Sequence, residues 1–381
     1  MIPRFKPSLG LEELFALFRF NKGSVREFER QFAKKFQALD AIAFPYGRSA
    51  QWAFFKALGI ENAEVIMPSY TCSVVAHAVS LSGNKPRFID IDLHDYNMNL
   101  DLAESAINEH TRAIIATHTF GYPQDLDRLE SMVEKAEELY GHKIWLIQDC
   151  CHAFGAEWKG RIVGTSGDVS VYAFNISKVM TSIFGGMLTF QDKKMAKLVR
   201  EWRDANYKQP SFLKSLKRRI YLLAVYIAFK EKIYGLIWWL QEKTPILNKF
   251  TKAYHLDDKI HFPPDYKDQM MDVEAAVGLE QLKKYDSIID KRRDKARYYH
   301  KNLKRRDGWY FPPLVDGATY SHYSVRVPNR DEVKQEYSIK GVELGELIQY
   351  SIPKLKCYDL VDLDCKNANH SSTSTINFPL T

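Results

Sequence analysis

Cysteine is scarce: there are five in 381 residues, at Cys72, Cys150, Cys151, Cys357 and Cys365. An odd, scattered set of that size excludes a disulfide framework and fits a reducing compartment. Long apolar runs are also missing. The two most apolar, IYLLAVYIAF (220–229) and IYGLIWWLQ (233–241), fall short of the roughly 20 residues that a membrane-spanning helix needs. The start, MIPRFKPSLGLEELFALF, has neither a clean apolar run nor a small-residue cleavage site, so no secretory leader is expected and a cytoplasmic location is. No zinc-finger spacing, ribonucleoprotein signature or basic zipper helix occurs, which counts against nucleic acid as a partner. The net charge of +7 instead points to a phosphorylated small molecule or an anionic membrane surface. What is present is ample material for a core: 45% of residues are hydrophobic and 13% aromatic, which excludes a disordered chain.

From about residue 40 to 190, short β-rich runs alternate with amphipathic stretches, the pattern of an α/β fold with a mostly parallel sheet covered by helices. Strands are expected at EVIM (64–67), PRFIDI (86–91), RAIIAT (112–117), KIWLIQ (143–148), VSVYAF (169–174) and MLTF (187–190). Helices are expected at Ser49–Leu58, Val74–Leu81, Leu100–Ile107, Asp125–Tyr140 and over 192–208. The character changes at 210–264, an aromatic-rich segment with a basic KSLKRR at 214–219. A single long helix with a charged face is then expected over 272–303, within a linking segment 265–303, and a small α+β domain over 304–381. Residues 1–209 make up the large domain in this division.

Two side chains stand out chemically. Asp149 ends the apolar strand KIWLIQ, and Lys178 follows the strand VYAF after the short connection NIS, so both open onto the crevice at the carboxyl ends of the strands. A carboxylate that holds a ring nitrogen protonated and a lysine that forms an imine are the two protein groups that pyridoxal phosphate chemistry needs. Taken singly, an Asp at a strand end reads as a cap or turn former and a lone Lys as a solvated charge.

The surrounding words decide between these readings. PYGRSAQWAFFKALGI (45–60), EVIMPSYTCSVVAHAV (64–79), PRFIDIDLHDYNMNL (86–100), RAIIATHTFGYPQDLD (112–127), the long stretch from IQDCCHAFGA to FGGMLTF (147–190) and AAVGLEQL (275–282) resemble, in order and spacing, the DegT-type nucleotide-sugar aminotransferases. The resemblance implies a fold-type-I pyridoxal-phosphate-dependent transferase with a large mixed sheet and a smaller C-terminal α+β domain. It implies transfer of an amino group from an amino acid, glutamate by analogy, to a keto nucleotide-sugar for surface polysaccharide or glycan synthesis. A homodimer is also implied, and no metal. By position, Lys178 resembles the family's Schiff-base lysine and Asp149 the partner of the pyridine nitrogen. His152 matches a residue near the ring's phenolic oxygen, and Gly47, Arg48 and Ser49 match the turn that cradles the phosphate. Relatives that replace the lysine with histidine are sugar dehydratases; Lys178 counts against that alternative here. A non-catalytic, membrane-associated relative is the other.

Several positions depart from the family pattern. Ala173 stands where a serine reaches the phosphate, a contact that Asn175 or Ser177 would then supply. Cys72 stands where an aromatic ring stacks on the cofactor, with Tyr70 as the substitute. Gln269 occupies the place of an Asn or Arg that reaches the partner's phosphate. Tyr350 resembles a residue near the sugar, while Gln349 replaces a frequent histidine. INFPLT (376–381) resembles a motif that relatives follow with a further helix. For 214–241 two readings stand: peripheral contact with the inner face of a membrane, led by Lys214, Lys217, Arg218, Arg219 and Trp238–Trp239, or packing against a dimer partner or the small domain.

Overall fold

The computed structural model describes residues 1–19, 22–243, 259–360 and 363–380. The stretch 244–258, inside the aromatic-rich segment, therefore lies outside the described residues. Seven strands make the central sheet: β1 (Asp40–Phe44), β2 (Glu64–Pro68), β3 (Lys85–Ile89), β4 (Thr111–Thr117), β5 (Trp145–Asp149), β8 (Val169–Ala173) and β9 (Gly186–Phe190). A two-residue hairpin, β6 (Glu157–Trp158) and β7 (Arg161–Ile162), stands apart from it. The order is β1-β9-β8-β5-β4-β2-β3, parallel from β8 through β3 and antiparallel where β9 meets β8 and β1.

These strands are apolar along their length because both faces are covered, and alternate residues go to opposite sides. Ile66, Ile114 and Leu146 pack with Phe28 and Phe32 of helix α2 (Ser24–Lys35). Their neighbours Val65, Ile115 and Ile147 pack on the other side with Phe54 and Phe55 of α3 (Gly47–Ala57) and Val79 of α4 (Ser73–Leu81). Helices α5 (Leu100–Ala106) and α6 (Leu126–Tyr140) join the α2 side, and α7 (Lys193–Asn206) joins the α3 side. A short α1 (Leu11–Ala16) packs beside Val273 and Val277.

The expected single helix over 272–303 is two helices, Asp272–Lys283 and Tyr285–Asn302, separated at Lys284 (φ −102°, ψ 8°). The break has a packing cause. The first helix is buried almost throughout, and Tyr285, which begins the second, packs its ring against Phe36 while its hydroxyl donates to the Phe154 carbonyl. That second helix runs toward the C-terminal strands β10 (Tyr323–Arg326) and β11 (Thr375–Phe378), whose core takes in Tyr70, Tyr96 and Phe120 from the first half of the chain.

The segment after α7 folds into α8 (Phe212–Ala228) and α9 (Glu231–Lys243). Of the four basic residues expected to lead a membrane contact, two are turned inward. Lys214 pairs with Asp265 at 2.7 Å and Asp268 at 2.9 Å, and Arg218 pairs with Asp265 and Glu274, each at 3.3 Å. Their carboxylate partners lie some way down the chain, where no local pattern announces them. Among the described residues no helix is long and apolar enough to cross a membrane.

Candidate active site

The carboxyl ends of β4, β5 and β8 meet the start of α3 around one cavity of about 730 Å³, open mouth included. Register puts Thr117, the last residue of β4, opposite Asp149, the last of β5. Asp149 is buried, and its carboxylate accepts from the Thr117 hydroxyl at 3.2 Å and the Cys151 N–H at 3.1 Å. Lys178 sits half-buried in the β8–β9 connection, its N–H donating to the Asn175 carbonyl at 3.0 Å. Both side chains line this cavity, together with Gly47, Arg48, Cys72, His152 and Asn175.

The first turn of α3 forms one wall. Tyr46 caps the helix without a side-chain hydrogen bond to it, so the leading N–H groups keep their capacity to bind an anion at the positive end of the helix dipole. A Cβ on Gly47 would lie 2.8 Å from that of Ala173, and one on Gly186 would lie 2.4 Å from the Tyr46 carbonyl. Both glycines are therefore required by the close approach of this turn to β8 and β9. Ser49 lies in the same turn with its hydroxyl buried and unpartnered, but it does not line the cavity. Tyr46 is held from outside: its hydroxyl donates to Asp265 at 2.8 Å and accepts from Arg218 at 2.9 Å.

His152 is buried, and burial first, then the nearby Lys178 and His322, push its imidazole well down, so the ring is neutral. Its Nδ1 accepts the Phe120 N–H at 3.4 Å, which places the proton on Nε2. Phe120 itself has a left-handed φ of 55°.

The departures from the family pattern resolve unevenly. Asn175 lines the cavity, and its Oδ1 accepts from the Ser177 N–H at 3.2 Å and hydroxyl at 2.7 Å, leaving the amide NH₂ as the donor. Ser177 itself is exposed and outside the cavity. Tyr70 does not take the place of the missing ring: it is fully buried between Tyr96 and Phe120 and donates to the Ile348 carbonyl at 3.3 Å. Cys72 lines the cavity, and so does Cys151. Tyr350 lies outside, its hydroxyl accepting the Ser73 N–H at 2.9 Å in the first turn of α4. Gln269 is also outside the cavity of its own chain, accepting from Gln209 at 2.5 Å. Sequence reasoning missed Thr117, Cys151 and Tyr46. The signal for Thr117 was its place at the end of the neighbouring strand.

His118 supports the same strand ends and titrates. It is fully buried, its N–H donates to the Asp149 carbonyl at 3.2 Å, and its ring accepts from Gln124 through Nδ1 at 3.0 Å and meets Gln148 through Nε2 at 2.9 Å. Burial lowers its pKa to about 4. The unfolded imidazole binds a proton near pH 6.5 and the folded one does not, so stability is intact above pH 6.5 and is lost as pH falls toward 4. This one group accounts for about 3 kcal/mol. Urea midpoints at pH 7 and pH 4.5 should therefore fall less steeply in His118→Gln than in the parent protein; equal slopes would refute the assignment.

A family model, that of the DegT/DnrJ/EryC1/StrS aminotransferases, matches residues 18–381. GDP-perosamine synthase of Escherichia coli O157:H7 is 29% identical over 79% of this chain and 71% of its own length. The dTDP-4-dehydro-2,3,6-trideoxy-D-glucose 4-aminotransferase of Saccharopolyspora spinosa is 25% identical over 100% of this chain and 92% of its own. Among solved structures, the sugar aminotransferase CalS13 from Micromonospora echinospora superposes with a TM-score of 0.76 at 20% identity, covering 100% of this chain and 95% of the other.

Proposed function

From the chain's membership of the DegT/DnrJ/EryC1/StrS aminotransferase family, we propose that it is a pyridoxal-phosphate-dependent enzyme moving an amino group from an amino acid, glutamate in our reading, to a keto nucleotide-sugar for polysaccharide or glycan synthesis. One observation carries this. A buried carboxylate, a lysine amine and an uncapped helix start line a single cavity, which is the donor set that an anionic, aldehyde-bearing pyridine ring requires.

When bound, the cofactor supplies an aldehyde that carries nitrogen and a ring that takes up an electron pair. The α3 start, with Gly47 and Arg48, binds its phosphate, and the Asn175 amide adds the donor that Ala173 lacks. Asp149 holds a proton on the ring nitrogen. The neutral His152 donates its Nε2–H to the ring oxygen. Lys178 would anchor the cofactor at rest and then, through Nζ, carry the proton taken from the donor's α-carbon to the cofactor's aldehyde carbon. Cys72 and Cys151 bring small, polarizable side chains to the cavity wall, which among the described residues carries no Phe or Trp and does not include Tyr70. The reading includes a cytoplasmic homodimer in which Gln269, remote from its own cavity, serves the partner's site.

The test is incubation with pyridoxal phosphate, glutamate and a panel of 3-keto and 4-keto nucleotide-sugars, followed by mass. The expected result is 2-oxoglutarate together with a nucleotide-sugar bearing one new amino group. No 2-oxoglutarate with any acceptor in the panel would overturn the reading.

A further inference from the structure

Helix α8 is amphipathic in the opposite sense to an ordinary surface helix. Lys214, Arg218 and Leu222 recur at four-residue spacing and share one face, which is turned into the protein. The two cations meet Asp265, Asp268 and Glu274, the Arg218 guanidinium lies 3.8 Å from the centre of the Phe184 ring, and Leu222 packs with Ile183 and Val277. The other face is apolar and faces water. Phe212 is 78% exposed, Ile220 59% and Ile227 46%, with Leu213, Leu216 and Leu223 also exposed along the same stripe. From 212 to 227 the stripe runs about 22 Å.

Burying the charged side and exposing the leucines is unfavourable for a helix that ends in water, and an apolar patch this long marks a contact. We propose that α8 lies flat on an anionic lipid surface, with this stripe entering the headgroup boundary. Charge selects that occupant. Between Gln209 and Lys230 there is no Asp or Glu, and the exposed Lys217 and Lys230 flank the stripe. A second copy laid on the stripe across a two-fold axis would set these lysines against the same sign with no carboxylate on α8 to answer them, whereas anionic headgroups answer both. The next helix adds exposed Leu236 and Trp239, and tryptophan favours the membrane–water boundary. The proposal is independent of the reaction: it uses none of the cavity residues.

Co-sedimentation of the full chain, loaded with pyridoxal phosphate, with vesicles of phosphatidylcholine and of phosphatidylcholine mixed with phosphatidylglycerol tests it. The protein is expected to pellet with the anionic vesicles, less at high salt, and weakly with the neutral ones. The double variant Leu216→Glu/Ile220→Glu alters only exposed side chains and should keep the thermal midpoint while losing about tenfold or more in vesicle partitioning. Lys217→Glu should weaken binding to anionic vesicles and leave neutral ones unaffected. Parent protein left in the supernatant with anionic vesicles would overturn the proposal, as would equal pelleting of the double variant. A fall in solution mass in the double variant, measured by light scattering without vesicles, would assign the stripe to a second copy instead.

Discussion

Lys178→Ala yields a folded protein that no longer holds its cofactor covalently and loses turnover by a factor of about 10⁴ or more, since anchor and proton carrier disappear together. The fold should tolerate the change. The bonds that shape the β8–β9 connection are made by backbone and by other side chains: the Phe174 N–H donates to Gly185 at 2.9 Å, the Ser182 N–H to Phe174 at 3.0 Å, and the Thr181 hydroxyl to the same carbonyl at 3.0 Å. Thermal midpoints of parent and variant should therefore agree closely. Sodium borohydride followed by peptide mass should fix the cofactor to Lys178 in the parent and nowhere in the variant. Lys178→Arg separates charge from chemistry, because a guanidinium keeps the cation while failing as nucleophile and base. If Lys178→Ala still exchanges amino groups with glutamate, the role given to this lysine falls even though the fold stands.

The strand ends that build the site were legible because parallel strands covered on both faces must be apolar runs, and EVIM, RAIIAT and KIWLIQ are such runs. β1 was not. DAIAF is short, and its sheet partner Gly186–Phe190 lies far along the chain, so nothing local identifies it as a strand. The same distance effect hid the inward face of α8. Lys214 and Arg218 read as solvated cations until Asp265 and Glu274, about fifty residues on, are brought beside them. Periodicity likewise carried one helix through Lys284, since charged residues recur on both sides of it; the break depends on where Tyr285 packs. Tyr70 shows the limit of arguing by residue type. An aromatic two residues before Cys72 looks like a substitute stacking ring, but its side chain is buried in the cluster with Tyr96 and Phe120.

Asp149→Asn should lower turnover by about 10²–10³ while leaving the protein folded and the cofactor bound through Lys178 and α3, the loss expected when one preorganised electrostatic partner is removed. The substitution is nearly isosteric. The retained amide oxygen still accepts the Cys151 N–H now held at 3.1 Å, and the Thr117 hydroxyl, now a donor at 3.2 Å, can rotate to accept from the new NH₂. What goes is the negative charge alone. A second readout follows without any cofactor. Cys151 shares the cavity, and its thiol is pushed far up, first by burial and then by the adjacent Asp149 charge. Removing that charge favours the thiolate, so alkylation of Cys151 by iodoacetamide at fixed pH, resolved from Cys72 by peptide mass, should speed up in the Asn variant. Slower turnover with unchanged Cys151 reactivity would mean that the carboxylate does not face the shared cavity as a charge. Full activity in the variant would remove Asp149 from the reaction altogether.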